Sequence, residues 1–272
     1  MTRRVVLSLA LLLAVSWPAV ASAGDGAIAR AIEDLRSCDK VDAHVCRSLP
    51  ARLTAYGDDA VPPVQAAFGA LSQAGKVLSI IALRAIETPR SSTALVKLAK
   101  TSDIVVRTMI VGALGERVGK VVDKALIAAL RDKNSTVRQS AAEALGRRAE
   151  QRNRRRVVAA LLKSAGDPAV SVARTAMESV ALFRDARVLP LIRRALVSED
   201  VAWRKSGLFC LRFSHDKSLV PPVIELLRDA DGVVLRDAVR SLQRMTGREY
   251  GADYHLWRGW WDSENEVDQP LD

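Results

Sequence analysis

The stretch Ser72–Leu83, SQAGKVLSIIAL, is a pattern of residue types that the chain repeats along most of its length. Its last residue opens a column of aliphatic residues, separated by steps of 31, 31, 35, 31 and 31: Leu83, Leu114, Leu145, Val180, Leu211 and Leu242. Three further columns keep these steps, one mainly of larger apolar residues and two mostly of small ones: Ile80, Val111, Ala142, Met177, Leu208, Val239; Ser79, Ile110, Ala141, Ala176, Gly207, Ala238; and Ala82, Ala113, Ala144, Ser179, Cys210, Ser241. A period of about 20 to 50 residues is typical of a solenoid, in which similar units stack in file.

Each copy also carries the residues that begin a helix. The first column of the pattern holds Ser72, Asp103, Asn134, Ala169, Asp200 and Asp231. All but Ala169 are favoured N-caps, because their side chains accept hydrogen bonds from the free amides of a first helical turn. Four residues later comes a mostly basic column: Lys76, Arg107, Arg138, Ala173, Arg204 and Leu235. The apolar columns follow at helical spacing and form one stripe, which predicts an amphipathic second helix in each of six helix pairs.

The first 23 residues have the layout of a secretory signal peptide. Arg3 and Arg4 precede an apolar run, Val5–Val15, and the small-residue site Ala21-Ser22-Ala23 follows. The run is too short for a membrane-spanning helix, which needs about 20 residues. We therefore expect an exported protein, periplasmic or extracellular, with no membrane span after cleavage; the alternative is an uncleaved N-terminal anchor. Loss of the leader lowers the formal net charge from +10 to +8. The positive charge that remains favours acidic partners.

The chain has three cysteines. Cys38 and Cys46 are close enough in sequence to form a disulfide outside the cytoplasm, and the sequence leaves open whether they do. Adding His44 gives a set that matches no common metal site, so we predict no metal. Cys210 stands in a small-residue column and is expected to be buried.

The repeats are predicted over residues 61–246, with a different segment at each end. Residues 24–60 are expected to form an atypical helix pair that caps the N-terminal end, the second helix ending at Pro50. Residues 247–261 hold a tryptophan cluster, interpreted as a lid on the last pair, with exposed ligand-binding tryptophans as the alternative. Residues 262–272 are predicted to be an acidic disordered tail. The single step of 35 places a four-residue insertion at 150–153, within the arginine-rich stretch Arg147–Arg156.

The segments Ala125–Asp132 (ALIAALRD) and Thr136–Gly146 (TVRQSAAEALG) resemble HEAT repeats of the short bacterial PBS-lyase HEAT-like form. The resemblance covers about residues 61–246. It implies an all-α fold, a right-handed α-solenoid of about six helix pairs, capped at both ends. It also implies a structural ladder between units built by the turn residues Asp103, Arg107, Asn134, Arg138, Asp200 and Arg204. The unit with Ala169 and Ala173 departs from the pattern, and Asp167 and Arg174 are its candidate substitutes.

No catalytic motif accompanies the repeats. HEAT-like deoxyhypusine hydroxylases hold iron with repeated His-Glu pairs, and none of the three histidines here is followed by Glu. No further motif supports the chemistry of the HEAT-like bilin lyases. We therefore predict no enzymatic activity and no cofactor, and an enzyme of the lyase or hydroxylase type with an unrecognised site remains the alternative.

One column turns basic toward the C-terminal end: Val77, Thr108, Gln139, Arg174, Lys205 and Arg236, extended by Arg240 and Arg244. We predict that Arg174, Lys205, Arg236 and Arg240 contact a partner on the concave face of the solenoid. The predicted function is a non-catalytic protein-binding scaffold of the bacterial cell envelope, and the basic column favours an acidic protein as partner. A solvated basic face that binds no partner is the plain alternative for this column. Binding of an acidic polymer or nucleic acid through the same face is the alternative, and export argues against nucleic acid.

Overall fold

The computed structural model describes residues 18–39, 43–149 and 154–266. Over these residues the secondary structure consists of α-helices and short 3-10 turns, without a strand. The helices are α1 (Pro18–Arg36), α2 (Ala43–Ala55), α3 (Val61–Ala67), α4 (Gln73–Ala85), α5 (Pro89–Leu98), α6 (Ile104–Leu114), α7 (Lys120–Ala129), α8 (Ser135–Gly146), α9 (Arg154–Ser164), α10 (Val170–Leu182), α11 (Leu189–Leu196), α12 (Val201–Cys210), α13 (Val220–Glu225), α14 (Gly232–Thr246) and α15 (Tyr254–Glu266). The predicted signal peptide up to residue 17 and the predicted insertion at 150–153 lie outside the described residues.

Contacts divide the chain into two compact units, residues 1–94 and 95–272, with the division inside α5. In the first unit α2 packs on α4, and α1 contacts α2, α3 and α4. In the second unit the second helices pack in series, α6 on α8, α8 on α10, α10 on α12 and α12 on α14. The helices α7, α9, α11 and α13 each pack on the second helix that follows them. This is the repeated helix-pair arrangement that the sequence period predicts.

The repeat columns form the core of these pairs. The six residues of the aliphatic column are all at most 1% exposed: Leu83, Leu114, Leu145, Val180, Leu211 and Leu242. The other three columns are buried as well, except that Val239 is only half-buried. The N-cap column is confirmed, since each second helix begins directly after one of its residues and every member but Ala169 accepts a backbone N–H.

The N-terminal segment forms a helix pair, and its second helix is longer than predicted. Helix α2 continues through Pro50 to Ala55. Proline removes one helical hydrogen bond, but Leu49 and Leu53, one turn apart, are both fully buried, and this packing holds the helix together on both sides of the proline. Cys38 and Cys46 form a disulfide with their Cα atoms 5.7 Å apart.

The C-terminal segment forms α15, which packs on α13. The indole of Trp257 is fully buried and its Nε1 donates to the Gly251 carbonyl at 2.9 Å. Helix α15 ends at Glu266, so the prediction of a disordered tail is wrong for residues 262–266. In this last part of the helix Arg248 binds Glu264 at 2.7 Å and Arg258 binds Asp262 at 3.1 Å.

No helix within the described ranges has both the length and the apolar character that crossing a membrane requires. Helix α1 begins at Pro18 and runs past the predicted cleavage site after Ala23.

Candidate binding surface on α10, α12 and α14

Arg107, Arg138 and Arg204, which stand four residues after the N-cap positions, form ion pairs between successive turns. Arg107 donates from Nε and Nη2 to the Asp132 carboxylate at 2.8 and 3.1 Å, and from Nη1 to the Thr101 carbonyl at 2.7 Å. Arg138 binds Asp167 (2.7 and 2.9 Å) and the Asp132 carbonyl (2.8 Å) in the same way. Arg204 repeats the arrangement with Asp229 (2.6 and 3.1 Å) and the Ser198 carbonyl (2.9 Å). Each guanidinium therefore joins its own turn to the next one.

We call each arginine–aspartate pair that joins two turns a rung of the ladder. The aspartates of these rungs are not the predicted ones. Asp103, Asn134 and Asp200 do not bind the arginines; they cap α6, α8 and α12. A cap must aim its side chain at the amides of its own helix, which turns it away from the preceding unit. The acceptors are instead the aspartates two residues before the N-caps Asn134, Ala169 and Asp231: Asp132, Asp167 and Asp229.

The ladder is interrupted at α10. Ala173 stands at the position of the ladder arginine. Asp167 serves the preceding rung, as the acceptor of Arg138, and Arg174 does not replace the missing cation. Its Nε donates to Ser206 Oγ at 2.9 Å, and its Nη2 lies 3.9 Å from Glu178, to which Ser206 also donates. Arg174 is therefore held within the α10–α12 contact.

A basic groove of about 300 Å³ lies between α12 and α14, and we call it the α12/α14 groove. Its cationic lining residues are Lys205, Arg212, Arg240 and Arg244. Its one lining carboxylate, Asp237, is bound by Arg240 at 3.2 Å. Within residues 154–266, neither Arg212 nor Arg244 forms an ion pair. Burial, and then the positive charge of Arg212, lower the pKa of Arg244.

Phe209 gives the groove an aromatic wall. Its side chain is 37% exposed, packs edge-on against Phe213 at 5.6 Å, and has the Arg212 guanidinium 5.8 Å from its ring centre. Lys205 is engaged at the groove edge, where Nζ lies 2.9 Å from Asp231. This lysine, with the amides of Val233 and Val234, lowers the pKa of Asp231 to about 2.

Two of the four predicted contact residues, Lys205 and Arg240, line the groove. Arg236 is exposed on the same helix, one turn before Arg240, and Arg174 is committed to α12. The prediction of contact residues omitted Arg212 and Phe209. Phe209 lies in the last turn of α12 and Arg212 in the 3-10 turn after it, four and seven residues after Lys205, and no other unit carries such a pair.

Part of the arginine-rich stretch 147–156 is structural. Arg147 binds Glu143 at 2.8 Å, and the buried Arg148 binds Asp123 at 2.5 Å. Burial lowers the pKa of Arg148, and Asp123 opposes that effect.

The buried Cys210 thiol has a raised pKa, first because of burial and then because of Glu178, so it stays protonated. Among residues 18–39, 43–149 and 154–266, no group of three His, Cys, Asp or Glu residues is placed to hold a metal ion.

Comparison with known proteins gives a family and a fold. A family model described as HEAT repeats matches residues 61–146 and 122–212. The solved structure of YibA from Escherichia coli covers 75% of this chain and 76% of its own, with 18% identity and a TM-score of 0.56. The match to a designed armadillo repeat protein in complex with the peptide (KR)4 covers 80% of this chain and 99% of the designed one, with 14% identity and a TM-score of 0.47. The complex of CpcE and CpcF of phycocyanin lyase from Nostoc sp. covers 87% and 94%, with 16% identity and a TM-score of 0.44. No curated protein matches the sequence.

Proposed function

Because the chain belongs to the HEAT repeat family, whose units build a helical scaffold, we propose that it is a non-catalytic, exported scaffold that binds an acidic segment of a partner protein. The α12/α14 groove is the binding site, and the arrangement of Arg212 and Arg244 carries the proposal. Arg212 and Arg244 line the same groove, neither forms an ion pair within residues 154–266, and the charge of Arg212 adds to burial in lowering the pKa of Arg244, so the two guanidinium groups form a region of positive potential.

The chemistry of the groove favours an acidic peptide. Arginine offers a planar fork that binds carboxylates at two points, and Lys205 and Arg240 add two more cationic side chains to the lining. Phe209 supplies an exposed ring on which an apolar or aromatic side chain of the same peptide can pack. These are groups for holding an anionic chain, which supports binding rather than catalysis. Location in the bacterial cell envelope is part of the proposal and rests on residues 1–23.

Charge reversal in the groove tests the proposal. The probe is a labelled glutamate-rich peptide containing one tyrosine, compared with the same peptide carrying glutamine. We expect the Arg212→Glu/Arg244→Glu variant to bind the acidic peptide about tenfold more weakly or worse, equivalent to about 1.4 kcal/mol. The matched control is Arg131→Glu/Lys163→Glu, which reverses two exposed cations outside the groove. Equal affinity of the groove variant and the control would refute the site.

Two further measurements separate the alternatives. Retention of duplex DNA that falls steeply with salt, and that the groove variant loses, would indicate a nucleic-acid site instead. Elemental analysis of the purified protein tests for a bound metal and so for the enzymatic alternative. Export is tested by the intact mass of the protein from the envelope fraction. Cleavage after Ala23 removes the start of α1 but keeps Ile28, Ala31, Ile32 and Leu35, which are the buried residues of α1 from residue 24 onward.

A further inference from the structure

A second open space lies where the ladder is interrupted. It meets α12 at Trp203 near the start of the helix, whereas Arg212 lies in the turn after its end. A cavity of about 350 Å³ opens there between α10 and the helices α11 and α12. Ala173 and Ser198 line it together with Asp167, Met177, Arg194 and Trp203. No part of the proposed function uses this cavity.

The cavity corresponds to a missing rung. In the intact rungs the arginine lies six residues after a carbonyl of its own turn, and 25 residues before its aspartate in the pairs 107–132 and 204–229. The same offsets from Ala173 reach the Asp167 carbonyl and Ser198. Both ionic side chains of the rung are therefore replaced by short residues, Ala for Arg and Ser for Asp, and both replacements line the open space.

We propose that this cavity binds a guanidinium group, the side chain of an arginine on a partner protein, in place of the missing rung. In the three intact rungs the equivalent carbonyls accept from Nη1 at 2.7, 2.8 and 2.9 Å. The Asp167 carbonyl and Ser198 Oγ are the corresponding acceptors here. The half-buried indole of Trp203 offers a face for stacking a planar cation, and Met177 and Ala173 provide an apolar wall for its stem.

The charges around the cavity set the limit on affinity. The Asp167 carboxylate already accepts two hydrogen bonds from Arg138 and one from the Ala169 amide at 2.9 Å. Arg194 is a cation in the lining, and its side chain is exposed. Its charge repels the bound guanidinium group, so Arg194→Gln is expected to lower the dissociation constant for that group severalfold.

The test uses the mature full chain and three small probes: N-acetylarginine amide, N-acetyllysine amide and N-acetylaspartate amide. The amide signal of residue 173 and the indole signal of Trp203 are followed by NMR during titration. The arginine probe should bind at least about tenfold more tightly than the lysine probe, because only the planar fork reaches the acceptors together. Equal binding of the two, or tighter binding of the aspartate probe, overturns the proposal.

Filling the cavity gives the second test. Ala173→Arg should abolish binding of the arginine probe, whereas Ser171→Arg, which adds the same charge on the exposed side of α10, should retain it. If Ala173→Arg does not fold, Ala173→Leu fills the space without a donor and should also abolish binding. The double variant Ala173→Arg/Ser198→Asp rebuilds the rung and should raise Tm by about 2–4 °C over Ser198→Asp alone. Retained binding in the filled variants, or no rise in Tm for the rebuilt rung, contradicts the assignment.

Discussion

At the scale of single residues, the ladder arginines combine strong hydrogen bonds with little exposure. The Arg138 and Asp167 side chains are 15% and 9% exposed, and the aspartate additionally accepts from the Ala169 amide. Removing one member of such a pair leaves the other charge poorly solvated, which costs more than the pair contributes as a whole. The rungs should therefore be sensitive to loss of one partner.

Asp167→Ala removes the acceptor of Arg138 and of the Ala169 amide at once. We expect it to lower the free energy of unfolding by about 2–4 kcal/mol. The measurement is urea denaturation followed by circular dichroism. The control is Asp237→Ala, whose partner Arg240 has a 72% exposed side chain, and it should cost no more than about 0.5 kcal/mol. Similar losses in both variants would show that the rung has no special role.

The same aspartate predicts a pH dependence. Hydrogen bonding from Arg138 holds the pKa of Asp167 below its ordinary value, although burial acts in the opposite direction. A lowered folded-state pKa adds stability above the unfolded-state pKa, and that stability is lost as the pH falls through the folded-state pKa. The difference in unfolding free energy between wild type and Asp167→Asn should be largest above about pH 5 and shrink below about pH 4. A difference that stays constant over this range would contradict the sign.

At the scale of the helices, small residues decide how closely the second helices approach. A Cβ added at Gly146 in α8 would lie 2.8 Å from the Ser179 Cβ on α10, a distance that real side chains do not adopt. Ser179 also donates to the Ala142 carbonyl at 2.9 Å, which fixes it against α8. The glycine is therefore required by the contact, not by its own backbone conformation.

Gly146→Ala should destabilise the protein by about 1–3 kcal/mol, although alanine is the better helix former, because the contact has no room for a methyl group. Gly112→Ala is the matched control. Its Cβ would meet nothing closer than 4.0 Å, so the substitution should be neutral or stabilise by up to about 1 kcal/mol. Thermal unfolding of both variants decides; a stabilising Gly146→Ala would place the helices farther apart than described.

Helix α15 closes the last pair through one buried aromatic side chain. Trp257→Ala removes a fully buried indole and its hydrogen bond to Gly251, and it should cost about 3–5 kcal/mol. Leu256→Ala changes the neighbouring, 54% exposed side chain and should stay within about 0.5 kcal/mol. Hydrogen exchange of α13 provides the local readout, since α15 packs on it, and unchanged protection in Trp257→Ala would argue against the lid.

At the scale of the whole molecule, the two compact units have different means of stabilisation. The first contains the disulfide Cys38–Cys46, and the second contains the three arginine rungs. Cys210, in the second unit, is buried and free. Reduction of the disulfide should therefore act on one unit alone.

Reduction, or the Cys38→Ser/Cys46→Ser variant, should lower the unfolding free energy of the first unit by about 2–3 kcal/mol. This is the contribution expected from the loop-closure entropy of so short a loop. Hydrogen exchange is the measurement: protection in α1 and α2 should fall while α10, α12 and α14 remain unchanged and serve as the internal control. Loss of protection in both units together would show that they unfold as one.

The sequence determined the helix pairs, the first residues of the second helices and the buried columns, because these depend on local signals repeated at a fixed period. Leu145 and Asp231 could be assigned from their columns alone, since a helical stripe must be buried and an N-cap acts on its own helix. The disulfide stayed open because only folding brings the Cα atoms of Cys38 and Cys46 to 5.7 Å. The prediction also missed the continuation of α2 through Pro50, where the buried Leu49 and Leu53 hold the helix by packing. It missed the continuation of α15 to Glu266, where Arg258 pairs with Asp262 inside the helix and Arg248 of the preceding loop pairs with Glu264.

The tertiary structure alone decided which side chains meet between units. It paired the ladder arginines with Asp132, Asp167 and Asp229 rather than with the capping residues, and it brought Arg212 and Arg244 into one groove. It also showed that a cavity lies beside Ala173, where three other units carry an arginine. Local sequence fixes a residue's place on its own helix, but the partner of a side chain depends on the distance and rotation between helices, which long-range packing sets.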